Sequence, residues 1–269
     1  MGENSFLGGI DPWLARLGNL RNVVRQEMVT RQLDAHLGGA AGAPLRMLDV
    51  GAGQGTQSLR LAARGHVVTA VEPDERMRDA FLSYAAGLAQ ASTVTLVEGG
   101  VEDLDAVLGE ERFDVVLCHG VLMYLPESGP AIAALARRVA PGGLLSLVTR
   151  NGAAMAWRPA LRGDWQAALD MLDEIEDAAR EHRDPRYRNE IGVDARADTL
   201  ESLTTHCVEG GLAVECWYGV RVSSDGVPVD TPTPEPEVLA MLLDVEERLG
   251  RTDPYRHLGT LLHVIARRT

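Results

Sequence analysis

Residues 48–56 read Leu-Asp-Val-Gly-Ala-Gly-Gln-Gly-Thr, and this short stretch limits the possible folds more than any other part of the 269-residue chain. Three glycines within five residues cannot prolong a strand or a helix; they make a sharp turn whose backbone a ligand can approach without meeting a Cβ. The turn follows an apolar run, Arg46 to Val50, and precedes a helical segment. Further strand candidates lie at Val67 to Val71, Val94 to Glu98, Asp114 to Cys118 and Leu144 to Thr149. Between them, Asp74 caps a helix carrying Met77, Phe81, Tyr84 and Leu88, and Ala131 to Val139 supplies another apolar face. Strands alternating with helices predict a doubly wound α/β core around a parallel sheet.

The glycine spacing separates two ligand classes. A dinucleotide fingerprint needs G-x-G-x-x-G, whereas here the third glycine arrives one residue early and Thr56 takes its place. Asp49, just before the first glycine, would repel a pyrophosphate but suits the ammonium of an amino-acid-bearing cofactor. Glu72 ends the second strand, 19 residues after Gly53, where a carboxylate can accept both hydroxyl hydrogens of a ribose. Taken singly, the turn is an ordinary strand-to-helix connection and Glu72 a solvated strand end; together they predict S-adenosyl-L-methionine as the cofactor.

The rest of the chain frames that core. Leu20, Val24 and Met28 predict an amphipathic N-terminal helix, with Arg21 and Arg25 one turn apart beside its apolar stripe. Residues 163–202 carry 12 acids against 5 arginines and read as an inserted lid. That lid comprises a helix from Trp165 to Arg180, a loop from His182 to Asp194, and a return helix starting at Asp198. Ala213 to Val222 and Leu261 to Ala266 read as strands, joined through the proline-rich 228–236 stretch and a helix at Val238 to Leu249. The expected divisions are 1–44 as N-terminal cap, 45–150 as cofactor-binding core, 151–197 as acidic lid and 198–269 as the remainder of the core.

All 26 basic residues are arginine, and 39 acids leave a net charge of −13, which disfavours a generic polyanion binder. The three cysteines form no C-x-x-C pair, no secretory leader pattern opens the sequence, and no apolar run reaches membrane-spanning length. These features predict a cytoplasmic protein with no structural metal, no disulfide framework and no membrane partner.

Several motifs resemble those of the class I S-adenosylmethionine-dependent methyltransferases: LDVGAGQG, the Gly99-Gly100-Val101-Glu102-Asp103-Leu104 loop, the Phe113 to His119 strand and the Ala140-Pro141-Gly142-Gly143 turn. A closer likeness, carried by GxLRNxxRQ, LCHGVLMYLP, APGGLLSLVTRNG, YGVRV and DPYRHLGTLLHVIARR, is to the bacterial tRNA carboxymethoxyuridine methyltransferases. The resemblance implies a Rossmann-like, seven-stranded, mostly parallel sheet with an antiparallel last strand, plus an N-terminal helical cap and an inserted helical lid. Leu261 to Ala266 would then lie between the fifth strand and Ala213 to Val222. It implies a cofactor wall of Asp49, Gly51, Ala52, Gly53, Gln54, Glu72, Met77, Val101, Glu102, Asp103, Cys118 and His119, with Arg21 and Arg25 from the first helix. Gly100 stands where the family often has an acid.

A methyl-transfer site needs an acceptor held in line and dry; an ionised carboxylate needs no base but does need a cation to orient it. Arg221 is the candidate clamp, with Arg21, Arg25 and Arg150 in reserve, although any one arginine could equally be a surface ion-pair partner. Asn151 matches the family's asparagine after the fifth strand. His119 either shapes the pocket or, with a phenol or amine acceptor, moves a proton. Tyr124, Trp157 and Trp165 are candidates to stack on a planar acceptor, with core packing as the alternative. The sequence thus predicts an oxygen methyltransferase acting on a small molecule or modified nucleoside. The acidic run Asp173-Glu174-Ile175-Glu176-Asp177 argues against tRNA. A non-catalytic cofactor-binding regulator and, more distantly, a nicotinamide oxidoreductase are the competing classes.

Overall fold

The computed structural model describes residues 18–37, 43–189 and 191–269, so most of the expected N-terminal cap outside the first helix lies beyond the described residues. The first helix, α1 (Leu20–Asp34), begins at Asn19, whose side chain accepts from the Asn22 amide, and buries Leu20, Val24 and Met28 as the periodicity required. The core then runs β1 (Arg46–Val50), α2 (Thr56–Ala62), β2 (Val67–Glu72), α3 (Glu75–Ala85), β3 (Val94–Glu98), α4 (Leu104–Leu108), β4 (Phe113–His119), α5 (Ser128–Arg138) and β5 (Val139–Arg150). Next come α6 (Trp157–Leu161), α7 (Trp165–Glu181), the short pair β6 (Arg186–Arg188) and β7 (Asp194–Arg196), α8 (Leu200–Glu209) and β8 (Leu212–Val220). The chain finishes with α9 (Pro236–Arg251) and β9 (Leu261–Arg268).

Seven strands form one sheet in the order β3-β2-β1-β4-β5-β9-β8. The first five pair in parallel, and β9 inserts antiparallel to both β5 and β8. This is the Rossmann-like topology expected of the class I methyltransferase sheet. Alternate residues feed the two faces. Leu48, Val50, Val116, Cys118, Leu145 and Leu147 pack under α4, α5 and α8, while Met47, Val115, Leu117, Leu144 and Ile265 pack with Leu33 of α1 and Leu61 of α2. The direction of winding reverses between β1 and β4, which opens a crevice at the carboxyl ends of these strands.

Local differences from expectation have local causes. Asp74 caps α3 by accepting from the Met77 amide at 3.0 Å, but the buried stripe is Met77, Phe81 and Ala85. Tyr84 is exposed, and Leu88 lies past the helix end, beyond Gly87 at φ +85°. The loop predicted for 182–194 contains most of the β6–β7 hairpin. Asp198 does not cap the return helix: Thr199 does, in a reciprocal pair with Ser202. Asp198 is instead fully buried and accepts from Ser128, Thr149 and Arg196 at 2.5–2.6 Å, which pins the end of β7 to the end of β5 and the start of α5. Among the described residues no helix is long and apolar enough to cross a membrane, and no His, Cys, Asp and Glu cluster could hold a metal.

Candidate active site

The crevice is a cavity of about 750 Å³ walled by α1, the glycine turn, the ends of β2 and β4, and the segment from Met155 to Ile191. Pockets for single small ligands span roughly 300–1,000 Å³, so the space suits a cofactor with an acceptor beside it. At one end, Gly51, Gly53 and Gly55 all adopt positive φ. A Cβ on Gly51 would lie 2.2 Å from Cγ2 of Val121, and one on Gly55 would strike the Phe81 ring at 2.5 Å. The turn therefore requires glycine for both conformation and space.

Asp49 is 3% exposed, and its Oδ2 accepts from the Ser58 hydroxyl at 2.6 Å. Burial lifts its carboxyl to about 6, against the opposing pull of Ser58. Glu72 accepts from the Gly53 amide at 2.8 Å and the Asp74 amide at 3.0 Å, so its carboxylate is fixed with lone pairs still available; burial raises its pKa as well. The cavity wall also includes Ala52, Gln54, Met77, Val101 and Glu102. Glu102 folds over Gly100, filling the space a side chain there would need: a Cβ on Gly100 would sit 2.6 Å from its Oε2. This explains how glycine is accommodated at a position where the family often has an acid. These residues make a side-chain-free turn between two buried acids, a cradle that fits an aminoacyl group and a ribose.

Two residues expected on this wall are elsewhere. Asp103 turns its carboxylate onto the Gly100 amide at 2.8 Å, and Cys118 is buried in the core with its thiol pushed up by desolvation. Neither lines the cavity. Arg21 does reach it, but the guanidinium is drawn inward, donating to the Val227 and Asp225 carbonyls beside the Asp225 carboxylate. It ties α1 to the loop that follows β8.

The other end is cationic. Arg21, Arg25, Arg150, Arg158, Arg162, Arg188 and Arg221 all line the cavity of a protein whose net charge is −13. Arg221 has φ +59°, a left-handed conformation costly for a residue with a Cβ. The following turn is held by the buried Glu246 carboxylate, which accepts from the amides of Val222, Ser223 and Ser224 at 2.7–2.9 Å. Arg221 also pairs with Asp225 at 3.1 Å. Arg25 is lowered to about 10, first by burial and then by repulsion from Arg221. Arg150 lies over the Tyr187 ring, 5.2 Å from its centroid, and the charges of Arg150, Arg221 and Arg158 all act on the Tyr187 hydroxyl.

His119 lines the cavity with Nε2 turned toward Ser146 Oγ at 2.8 Å; burial, then Arg25, lowers its pKa to about 3. Tyr124 lines it as well, its hydroxyl accepting from the Asn189 side-chain Nδ2 at 3.3 Å.

A methyltransferase domain model matches residues 48–147, the segment from the glycine turn to β5. The tRNA 5-carboxymethoxyuridine methyltransferase of Escherichia coli K12 is 24% identical over 251 residues, 93% of this chain and 90% of that one. The chain is a methyltransferase that uses S-adenosylmethionine. A ubiquinone biosynthesis O-methyltransferase of Xanthomonas oryzae is 37% identical over 143 residues, covering 53% of this methyltransferase and 55% of its own length. Among solved structures, the magnesium protoporphyrin IX methyltransferase of Synechocystis with bound SAH shares the fold at TM-score 0.61 and 17% identity, covering 99% and 98% of the two chains.

Three residues singled out for acceptor chemistry lie outside the methyltransferase's cavity. Asn151 is buried and saturated by backbone: its amide donates to the His257 and Gly259 carbonyls at 3.0 and 2.8 Å, and its oxygen accepts from the Ala153 amide. It secures the turn after β5. Trp157 and Trp165 are exposed at the starts of α6 and α7, at 38% and 68%. Conversely, Tyr187, Arg158, Arg162 and Arg188 line the cavity and were not singled out from sequence. Arg158 and Arg162 carried a usable signal, an i, i+4 basic pair just before the acidic run.

Proposed function

We propose that this methyltransferase esterifies a carboxylate of a small molecule, with Arg221 and Arg25 as the clamp. The observation that carries the reading is the convergence of guanidiniums on one cavity of an acidic protein, with two of them close enough to repel. A bound carboxylate relieves that repulsion and is gripped by charge-assisted hydrogen bonds. The left-handed backbone at Arg221 supports the assignment, since such strain persists where the surrounding structure enforces it for use.

The cofactor supplies, when bound, an electrophilic methyl on a sulfonium. In this reading Asp49 pairs with its ammonium, Glu72 accepts from the ribose hydroxyls, the amides of residues 51–54 line the aminoacyl group, and Met77, Val101 and Glu102 border the adenine. Arg221 and Arg25 orient one carboxylate oxygen toward the methyl; Tyr124 and Tyr187 flank the acceptor. Residues 151–197 act as the lid that excludes water, which strengthens the ion pairs inside. No general base is assigned, because a carboxylate is ionised at neutral pH.

A second reading, methylation of a carboxymethoxyuridine in tRNA, is favoured by the similarity across 93% of the chain to the E. coli enzyme. The acidic lid opposes it. The test supplies isotope-labelled cofactor to small-molecule and tRNA pools from cells lacking the gene. Gain of one CH2 in the small-molecule pool supports the first reading. Label confined to tRNA, lost as salt rises, replaces it with the second.

A further inference from the structure

A buried line of polar side chains runs from the cavity wall across the sheet. His119 Nε2 lies 2.8 Å from Ser146 Oγ, Ser146 Oγ lies 2.8 Å from His263 Nε2, and His263 Nδ1 lies 2.7 Å from Oε1 of Gln32 on α1. Ser146 and His263 are 0% exposed and Gln32 is 4% exposed. The only other polar atom of the His119 ring, Nδ1, has no hydrogen-bond partner among the described residues.

With Gln32 Oε1 facing His263, counting protons sets the direction of every bond. An amide oxygen only accepts, so His263 Nδ1 carries its hydrogen. A neutral imidazole has one N–H, which leaves His263 Nε2 bare to receive the Ser146 hydroxyl hydrogen. The Ser146 oxygen then receives N–H from His119 Nε2, and His119 Nδ1 is left as a lone pair. Turning the Gln32 amide over would reverse all three bonds and put a hydrogen on Nδ1. Arg25 decides between the two arrangements. Its Nη1 approaches within 3.4 Å of where a Cβ on the neighbouring Gly120 would stand, and its charge acts on the His119 ring. That positive charge on the ring favours a lone pair on its unpartnered nitrogen over an N–H.

We propose that Gln32, His263 and Ser146 are positioning residues that lock His119 in the Nε2–H tautomer with Nδ1 bare and buried, so that the ring borders the site as a fixed neutral wall and not as a proton carrier. The line ends in an amide, which takes up no proton, so it orients His119 without conducting charge away from it. The other charged or titratable groups around it do not supply a sink. Arg25 and Arg221 are cations, His263 faces the Tyr218 ring at 5.9 Å, and Tyr218 shares a 2.8 Å bond with His36. The inference deepens the carboxylate reading and rests on it in one respect: an acceptor that arrives ionised needs no base at His119.

The test is two-bond proton–nitrogen correlation NMR of the histidine rings in 15N-labelled protein with S-adenosylhomocysteine, from about pH 5.5 to 8.5, a range that brackets an ordinary histidine. The His119 signals are assigned with H119Q. The expected result is a bare Nδ1, a protonated Nε2 and no titration; an Nδ1–H tautomer, or titration in that range, overturns the lock. In Q32E the line ends in an acid, so a proton entering at His119 is relayed to the introduced carboxylate and leaves a hydrogen on Nδ1. Q32E is therefore expected to switch tautomer as pH falls, with S-adenosylhomocysteine affinity within about twofold of wild type, since no hydrogen bond to the cofactor is removed. A folded Q32E whose His119 ignores pH overturns the coupling, and if Q32E does not fold, the wild-type spectrum decides alone. A wrong tautomer would leave carboxylate methylation standing, and a non-ester product would leave the tautomer standing.

Discussion

Replacing Asp49 by asparagine should make the ligand-free protein more stable while removing its cofactor. The side chain is 3% exposed, and burial raises its carboxyl from 3.8 to about 6. A shift of about two units corresponds to about 3 kcal/mol spent on ionising the group in the folded state. The folded pKa lies above the unfolded one, so the folded state holds the extra proton between these values. Stability is therefore lost as pH rises through that window and is flat above it. Asparagine has nearly the same shape, its oxygen can still accept from Ser58, and it is never charged. Above about pH 7, D49N should gain up to about 3 kcal/mol, or roughly 5–10 °C in Tm, and the gain should vanish as pH falls toward 4. With Asp49 as the proposed partner of the cofactor ammonium, its loss should weaken S-adenosylhomocysteine binding by about 30-fold or more, as for other buried charge pairs. Differential scanning calorimetry across pH and isothermal titration calorimetry read the two effects. A D49N protein that is less stable at neutral pH and binds the cofactor normally would refute the reasoning about this acid.

Three further outcomes are expected. G51A forces a left-handed alanine whose Cβ falls 2.2 Å from Val121 Cγ2; it should cost about 1 kcal/mol in backbone strain plus the clash, and lower S-adenosylhomocysteine affinity at least tenfold by titration calorimetry. R221A should leave that affinity within about twofold but reduce kcat/KM for the acceptor about 30- to 1,000-fold, with R221K recovering little because the fork is lost; equal loss of both would contradict the clamp. D198A leaves Arg196 with Asp184 as its one remaining carboxylate and removes the acceptor of the Ser128 and Thr149 hydroxyls, so it should lower unfolding free energy by about 1–3 kcal/mol in urea titration without touching the glycine turn.

The sheet was legible because its signals are local. The residues 46–50 and 94–98 are short apolar or β-branched runs of strand length, and the glycine turn announces where the first of them must stop. The position of β9 between β5 and β8 came from the family likeness, since the β5–β9 pairing, across more than a hundred residues, leaves no mark in a single sequence. Asp49 and Glu72 lie on the cavity wall for the same local reason, since each sits at or next to the end of its strand. Asn151 was not legible: nothing in its neighbours reveals that the backbone of residues 257–259, which is over a hundred positions away, takes up its amide. Asp198 mimicked a helix cap in sequence, while tertiary partners on α5 and β5 claimed its carboxylate. Tyr187 and Arg188 reach the cavity through a hairpin of three-residue strands, too short to show an alternation.

The carboxylate assignment is tested most directly by the chemistry of the product. After reaction with methyl-labelled cofactor, the product is treated with mild base and the released volatile label is measured. An ester gives up its methyl as methanol, so near-complete release is predicted; label that stays bound through base, as it would on nitrogen, carbon or an ether oxygen, would contradict the account.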